Sequence, residues 1–345
     1  LYRQHHVGRT FVISHLSRSD NHPGENPHPA PHMTSISAPQ TPDDTAEAES
    51  ASLPCVMSFN ANDPSGAGGL AADLTTIASA SCHGLPVVTG AYVRDTSEIR
   101  DHFAFDDEAV EEQARATLED MDVAAFKVGF VGSPDNLSRI AEIASDYPEV
   151  PVIAYLADLS WWDELSIDTY LDAMAELLLP QTTVLVGNHS TLARWLVPDW
   201  EADRPPAPRD LARAAAAHGT PYVLVTGFNA ADQHLESHLA SPESVLATAR
   251  YERFDATFCG AGDTLSAALT ALLAAGADLQ TATAEALTYL DQCLNGGYQP
   301  GMGHAVPDRM FWAHDEDDPN APADGTPVGD PTTVTMDFPL DKTRH

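Results

Sequence analysis

The feature that most constrains this chain is an alternation of two patterns. Six apolar runs of strand length, PCVMSF (54–59), LPVVTGAYV (85–93), VAAFKVGFV (123–131), VPVIAYL (150–156), TTVLVG (182–187) and PYVLVTG (221–227), are separated by longer stretches. The intervening stretches, LAADLTTIASA (70–80) and segments near 106–120, 134–146, 168–179 and 209–218, carry helical patterning. A hairpin across 235–254 and two Ala-rich helices, about 263–275 and 280–294, complete the expectation. A strand that is apolar along its whole length is buried on both faces, which requires a helical layer on each side of its sheet. The chain is therefore expected to be an α/β protein with a mostly parallel central sheet and helices on both faces. Ligands in such folds bind beyond the C-terminal ends of the strands, where the Gly-rich loops fall.

The 345 residues, 43% of them apolar, suffice for a large core. That core is confined to the middle. Residues 1–53 are rich in His, Pro, Ser, Asp and Glu without periodicity, and are expected to be a disordered N-terminal extension. The first methionine is Met33, so residues 1–32 read as an upstream extension. Residues 315–345 are expected to be a disordered acidic tail, which leaves 54–314 as the folded domain. The net charge of −34, from 51 acidic and 17 basic residues, repels nucleic acid and anionic membranes, so the expected partner is a small molecule. Cys55, Cys82, Cys259 and Cys293 lie far apart, the pattern of reduced thiols in a cytoplasmic protein. No apolar run approaches the roughly 20 residues of a membrane span.

Two segments carry chemistry. In FCGAGDTLSAALTALLAAG (258–276) a Gly-x-Gly turn leads directly into a strongly helical run. The first N–H groups of a helix lack intrahelical partners, and the helix dipole makes that end partly positive. Gly260, Ala261 and Gly262 thus have the makings of an anion hole for a phosphate. Asp263, at its mouth, is placed to accept the proton of an attacking hydroxyl; the same residues also describe a plain helix N-cap. The second segment, NDPSGAGGLAAD (62–73), follows the first strand. It lacks the lysine of a phosphate-binding P-loop and the spacing of a dinucleotide fingerprint.

Taken together, NDPSGAGGLAADLTTIAS and GAGDTLSAALTA resemble the hydroxymethylpyrimidine/phosphomethylpyrimidine kinases of the ribokinase superfamily. That family shows a DPSGGAG-x-x-AD segment first and a G-T/S-G-C-T-L-S-A-A segment last. HGLPVVTGAYVRDT (83–96), FKVGFVGS (126–133), LLLPQTTVLVGN (177–188), YVLVTG (222–227) and PGMGHAVPDRMFW (300–312) agree with it in order, so the resemblance spans about 54–313. It implies a ribokinase-like fold, ATP and Mg²⁺ as cofactors, a homodimer, and phosphorylation of hydroxymethylpyrimidine or its monophosphate in thiamine biosynthesis.

Residue by residue, the resemblance implies that Asp263 is the catalytic base where the family usually has Cys, with Gly260, Ala261 and Gly262 as the anion hole. Asp73, Ala61, Arg94 and Phe130 are implied to bind substrate, and Asn188, Thr226 and Gly227 to bind nucleotide. Asp73 also reads as an ordinary helix residue. Arg94 stands where the family has a pyrimidine-reading Gln, Phe130 where it has Met, and Ala61 where it has Gly. YLADLSWWDEL (155–165) replaces a D-P-V-M segment, and Thr191 takes the Glu position of N-x-x-E. These departures keep two alternatives open: a kinase for another alcohol such as pyridoxal or a sugar, and a ligand-binding regulator that lost turnover. Trp161 and Trp162 read as loop packing or a lid, and His83, His189 and His304 show no metal spacing, so metal ligands are left unassigned.

Overall fold

The structure, a computed structural model, describes residues 52–314. The expected tail from 315, and the expected extension apart from residues 52 and 53, lie outside the described residues. The chain runs β1 (Cys55–Asn62), α1 (Gly69–Ser79), β2 (His83–Arg94), β3 (Ile99–Ala104), α2 (Asp107–Leu118), β4 (Val123–Val128), α3 (Pro134–Asp146), β5 (Val152–Leu156) and α4 (Glu164–Ala173). It continues through β6 (Val184–Asn188), α5 (His189–Leu196), α6 (Pro208–Ala217), β7 (Tyr222–Asn229), β8 (His234–Ala240), β9 (Val245–Glu252), α7 (Ala261–Ala274) and α8 (Leu279–Asn295).

Among the described residues nine strands form one sheet in the order β3-β2-β1-β4-β5-β6-β7-β8-β9. The pairs from β2 to β7 are parallel, and β3, β8 and β9 add antiparallel edges. The expected ribokinase-like α/β architecture is therefore present, and β8 and β9 are the expected hairpin. Along β1, Met57 and Phe59 pack on one face with Phe126, Leu137, Ile140 and Leu185, while Val56 packs on the other with Ile77 and Ala267. That division is the two-residue strand period expressed as two cores.

α7 lies under the middle of the sheet, and Leu265 and Leu269 are buried there with Ile153, Val184, Val186 and Leu224. Its buried hydroxyls are satisfied locally: Thr264 Oγ1 donates to the Gly260 carbonyl, Ser266 Oγ to that of Gly262, and Thr270 Oγ1 to that of Ser266. A helix apolar all round fits only such a central place. Truncating Leu269 to Ala there costs about 2–5 kcal/mol. Packing thus aims the N-terminus of α7 at the C-terminal ends of β1, β4 and β5.

Three elements depart from the sequence expectation. β3, IRDHFA, is mostly exposed and polar, so it carries no apolar run; pairing with β2 makes it a strand. α5 is only eight residues long and starts where the Asn188 side chain accepts the Ser190 N–H. The helix expected near 168–179 begins earlier, because Asp163 caps it by accepting from Ser166 N, and it ends in a π-helical turn over Met174–Leu178.

Candidate active site

The site forms where the chain reverses direction across the sheet: β1 has β2 on one side and β4 on the other, so the loop after β1 opens into a crevice. Asp63 shapes that loop. Its Oδ1 accepts from the N–H and hydroxyl of Ser65, at 2.8 and 2.6 Å, and its Oδ2 accepts from Gly68 N at 2.8 Å. The second Gly-rich turn packs on the first, backbone to backbone. Gly260 has φ of +79°, and a Cβ there would lie 1.6 Å from the Ala67 carbonyl oxygen, so only glycine fits. Arg309 ties the two turns together. Its Nε donates to Thr264 Oγ1 at 2.9 Å, and its terminal nitrogens donate to the carbonyls of Ala67 and Gly66.

Asp263 lies in the first turn of α7. Its Oδ1 accepts from Asn60 Nδ2 at 2.9 Å and from Lys127 Nζ at 2.8 Å; its Oδ2 accepts from Gly69 N at 3.0 Å. Only 16% of the Asp263 side chain is exposed. Beneath it, Lys127 is fully buried and lies 2.9 Å from a second carboxylate, Asp73. Asp73 in turn accepts from Ser58 Oγ at 2.7 Å and Asn60 Nδ2 at 2.9 Å.

This triad has one cation and two acids, so its charges are unequal. Burial works against an ionised Asp263, but the Lys127 charge and the bonds from Lys127, Gly69 and Asn60 outweigh it and hold the carboxyl below the usual range. Burial pushes the Asp73 carboxyl up, against the pull of Lys127. Burial also disfavours the Lys127 ammonium, yet the two carboxylates raise its pKa and keep it charged. Asp263 therefore carries the negative charge of the pair, and Asp73 is the acid that gains a proton first.

The structure brings Gly260, Ala261, Gly262 and Asp263 together with the first loop. It treats the residues expected to hold substrate unevenly. Asp73 is 0% exposed and closed off beneath Asn60 and Lys127. The inward face of α1 places it against Lys127, so its carboxylate is engaged within the protein. Ala61 is also enclosed, its N–H bonded to the Phe130 carbonyl at 3.1 Å, so it too presents no side chain to the crevice. Phe130 is buried in an aromatic wall, stacked on Tyr92 at 5.5 Å and edge-on to Trp161, Trp162 and His102. The two tryptophans are part of that wall. Arg94 stays at the crevice lip, its Nη1 3.4 Å from Asp63 Oδ2 and its Nε bonded to the Asp95 carbonyl.

On the other side of the Gly260–Gly262 turn, Asn188, Thr226 and Gly227 line one cavity of about 210 Å³ with Ala261 and Gly262. Its remaining walls include Leu235, Tyr251, Leu265, Leu287 and Leu290, an apolar lining suited to a flat heteroaromatic ring. Among the described residues no group of three His, Cys, Asp or Glu side chains is arranged to hold a metal. No described helix is long and apolar enough to cross a membrane.

Sequence reasoning missed Lys127 as a functional residue, although its signal was present: it is one of only two lysines and stands inside the apolar run VAAFKVGFV, where a buried charge needs a partner. Asn60 and Arg309 had no such signal, because their roles depend on segments distant in sequence, whereas Asp63 acts within its own loop and stands in the segment NDPSGAGGLAAD.

Residues 63–308 match the phosphomethylpyrimidine kinase family. The chain is 29% identical over 270 residues to the hydroxymethylpyrimidine/phosphomethylpyrimidine kinase of Mycobacterium tuberculosis, covering 75% of this chain and 94% of that protein. It is 27% identical over 275 residues to the Streptomyces coelicolor protein of the same name, covering 79% and 96%. Its fold is similar to that of Bacillus subtilis pyridoxal kinase solved as an ADP complex, with a TM-score of 0.69 and 21% identity over 76% of this chain and 100% of that one.

Proposed function

This chain belongs to the phosphomethylpyrimidine kinase family, and we propose that it transfers the γ-phosphoryl group of MgATP to 4-amino-5-hydroxymethyl-2-methylpyrimidine or to its monophosphate. The observation that carries the reading is Asp263: a carboxylate held ionised at the N-terminus of α7, beside the amides of a glycine turn.

Bound in the cavity lined by Asn188, Thr226 and Gly227, MgATP supplies the phosphoryl group and the cation that offsets its charge. Mg²⁺ keeps most of its water and takes few protein ligands, which suits a site without a cluster of carboxylates. Asp263 Oδ2 accepts a single hydrogen bond, from Gly69 N, and so retains a lone pair for the proton of the substrate hydroxyl. As the hydroxyl oxygen bonds to phosphorus and the bond to ADP breaks, that proton passes to Asp263. The amides of 260–262 then stabilise the charge on the transferring oxygens. With the monophosphate as acceptor, a phosphate oxygen attacks, and Arg94 at the crevice lip offsets its charge.

The test is a turnover assay on the full chain with the hydroxymethylpyrimidine, its monophosphate, pyridoxal and a sugar panel, in wild type and Asp263→Asn. The reading expects turnover of at least one pyrimidine acceptor, a loss of about 10²–10⁴-fold in kcat in the variant, and intact ATP binding by calorimetry. Turnover of pyridoxal alone moves the substrate class. ATP binding without turnover of any acceptor makes the chain a ligand-binding regulator.

A further inference from the structure

Tyr155 stands at the C-terminal end of β5, in the segment YLADLSWWDEL. Its ring is pressed against the anion hole: a Cβ on Gly262 would lie 2.1 Å from the Tyr155 hydroxyl oxygen. The glycine at 262 is thus required by Tyr155, and the phenol oxygen borders the start of α7. Behind the ring, Lys127 Nζ is 5.8 Å from its centroid.

Among the described residues the Tyr155 hydroxyl makes no hydrogen bond, unlike that of Tyr170, which accepts from Val131 N, and that of Tyr289, which donates to the Arg309 carbonyl. Tyr155 is partly buried, so its free hydroxyl is open to a partner from the crevice. Tyr155 also lines a cavity of about 420 Å³ with Asp158, Asn188, Ser190 and Thr191. Asn188 is a wall of this cavity and of the one that reaches Gly262, so Tyr155 stands where both meet the anion hole. Burial, followed by the charges of Asp263, Asp158 and Asp73, pushes its pKa up, so the hydroxyl keeps its proton at neutral pH. A carboxylate at this strand end would repel a phosphoryl group unless a cation intervened; a phenol donates to it directly.

We propose that Tyr155 is a catalytic residue whose O–H donates a hydrogen bond to a non-bridging oxygen of the transferring phosphoryl group, completing the anion hole of residues 260–262. The assignment rests on the phosphoryl-transfer reading of the site and adds to it a donor from β5. No bond to Tyr155 forms or breaks: its proton stays on the phenol oxygen while the substrate proton goes to Asp263.

The test compares full-length wild type with Tyr155→Phe, which removes the O–H and keeps the ring against Gly262. Two quantities are read: kcat with the hydroxymethylpyrimidine acceptors, and the Kd of ADP with aluminium fluoride, a mimic of the transferring group. The proposal expects kcat to fall about 10²–10³-fold, with the KM for ATP and the melting temperature unchanged. It expects binding of ADP–aluminium fluoride to weaken by about tenfold or more while ADP alone binds as before. If wild type turns over none of the acceptors, the kinase reading fails on its own account, and Tyr155 is then judged by the mimic alone. Equal binding of the mimic by the two proteins, or none by wild type, overturns the assignment.

Discussion

Replacing Lys127 by Met tests the buried triad from both its structural and its chemical side. The change keeps most of the aliphatic stem and removes the only cation between Asp73 and Asp263, which are 0% and 16% exposed in their side chains. Breaking a buried ion pair by removing one partner costs about 3–5 kcal/mol, a large part of the total for a domain whose stability is about 5–15 kcal/mol. The loss has a predictable pH dependence. Asp263 has a depressed pKa in the folded protein, so its contribution is present above the unfolded value of about 3.9 and is lost as pH falls through the lower folded value. Asp73 has a raised pKa, so its cost is absent in acid and grows as pH rises through its folded value. Lys127, raised above about 10.4, contributes at every pH below that value and loses its contribution only in strong alkali.

Without Lys127, Asp73 or Asp263 must take up a proton, which becomes easier by about 1.4 kcal/mol for each unit of pH lowered. The deficit of Lys127→Met is therefore expected to shrink between pH 7 and pH 5. Adding Asp73→Asn to the variant removes the like charge and is expected to restore part of the loss. Urea unfolding followed by tryptophan fluorescence at both pH values, in wild type, the two single variants and the double variant, measures each term. In the same proteins the acid limb of kcat is expected to move to higher pH when Lys127 is absent, because Asp263 is no longer held ionised. A loss below about 1 kcal/mol, or one that does not change with pH, would refute the charge assignment of the triad.

Three further outcomes are expected. Arg94→Gln lowers the ratio of kcat/KM for the monophosphate to kcat/KM for the neutral alcohol, because Gln retains hydrogen bonding but not the charge; an unchanged ratio means that Asp63 fully occupies Arg94. Arg309→Ala lowers the urea midpoint and raises the KM for ATP, since one guanidinium joins Gly66, Ala67 and Thr264 and each bond to a charged group contributes about 1.5–3 kcal/mol; equal midpoints remove it as the tie between the turns. A chain of residues 54–314 is expected to melt at the temperature of the full chain, because the flanking segments have no periodic apolar face; a markedly lower melting temperature assigns them a part in folding.

Much of the architecture was legible along the chain. The uninterrupted apolar runs specified strands buried on both faces, and their alternation with helical segments specified the parallel centre of the sheet. The helix expected near 134–146 is present as α3, and the structure shows Ser133 capping it by accepting from Asn136 N. The expectation of an anion hole at Gly260–Gly262 was local, because free amides at a helix start follow from helix geometry alone. β3 was not legible, because an exposed edge strand needs no apolar face.

The site itself divides along the same line. Asp263 stood out because its neighbours in sequence explain it. Its ionised state did not, since that depends on Lys127 from β4, Asn60 from β1 and Gly69 from α1. Asp73 shows the reverse: the resemblance implied a role for it, but its place as the second carboxylate of a buried cluster is set by the inward face of α1. The sequence by itself determined most of the strands and helices and the glycine turn that opens α7, because periodicity and helix-start chemistry act over a few residues. Only the tertiary structure decided which charges are buried together, and so which acid keeps its proton, because desolvation and Coulomb interactions depend on distances in space between residues far apart in the chain.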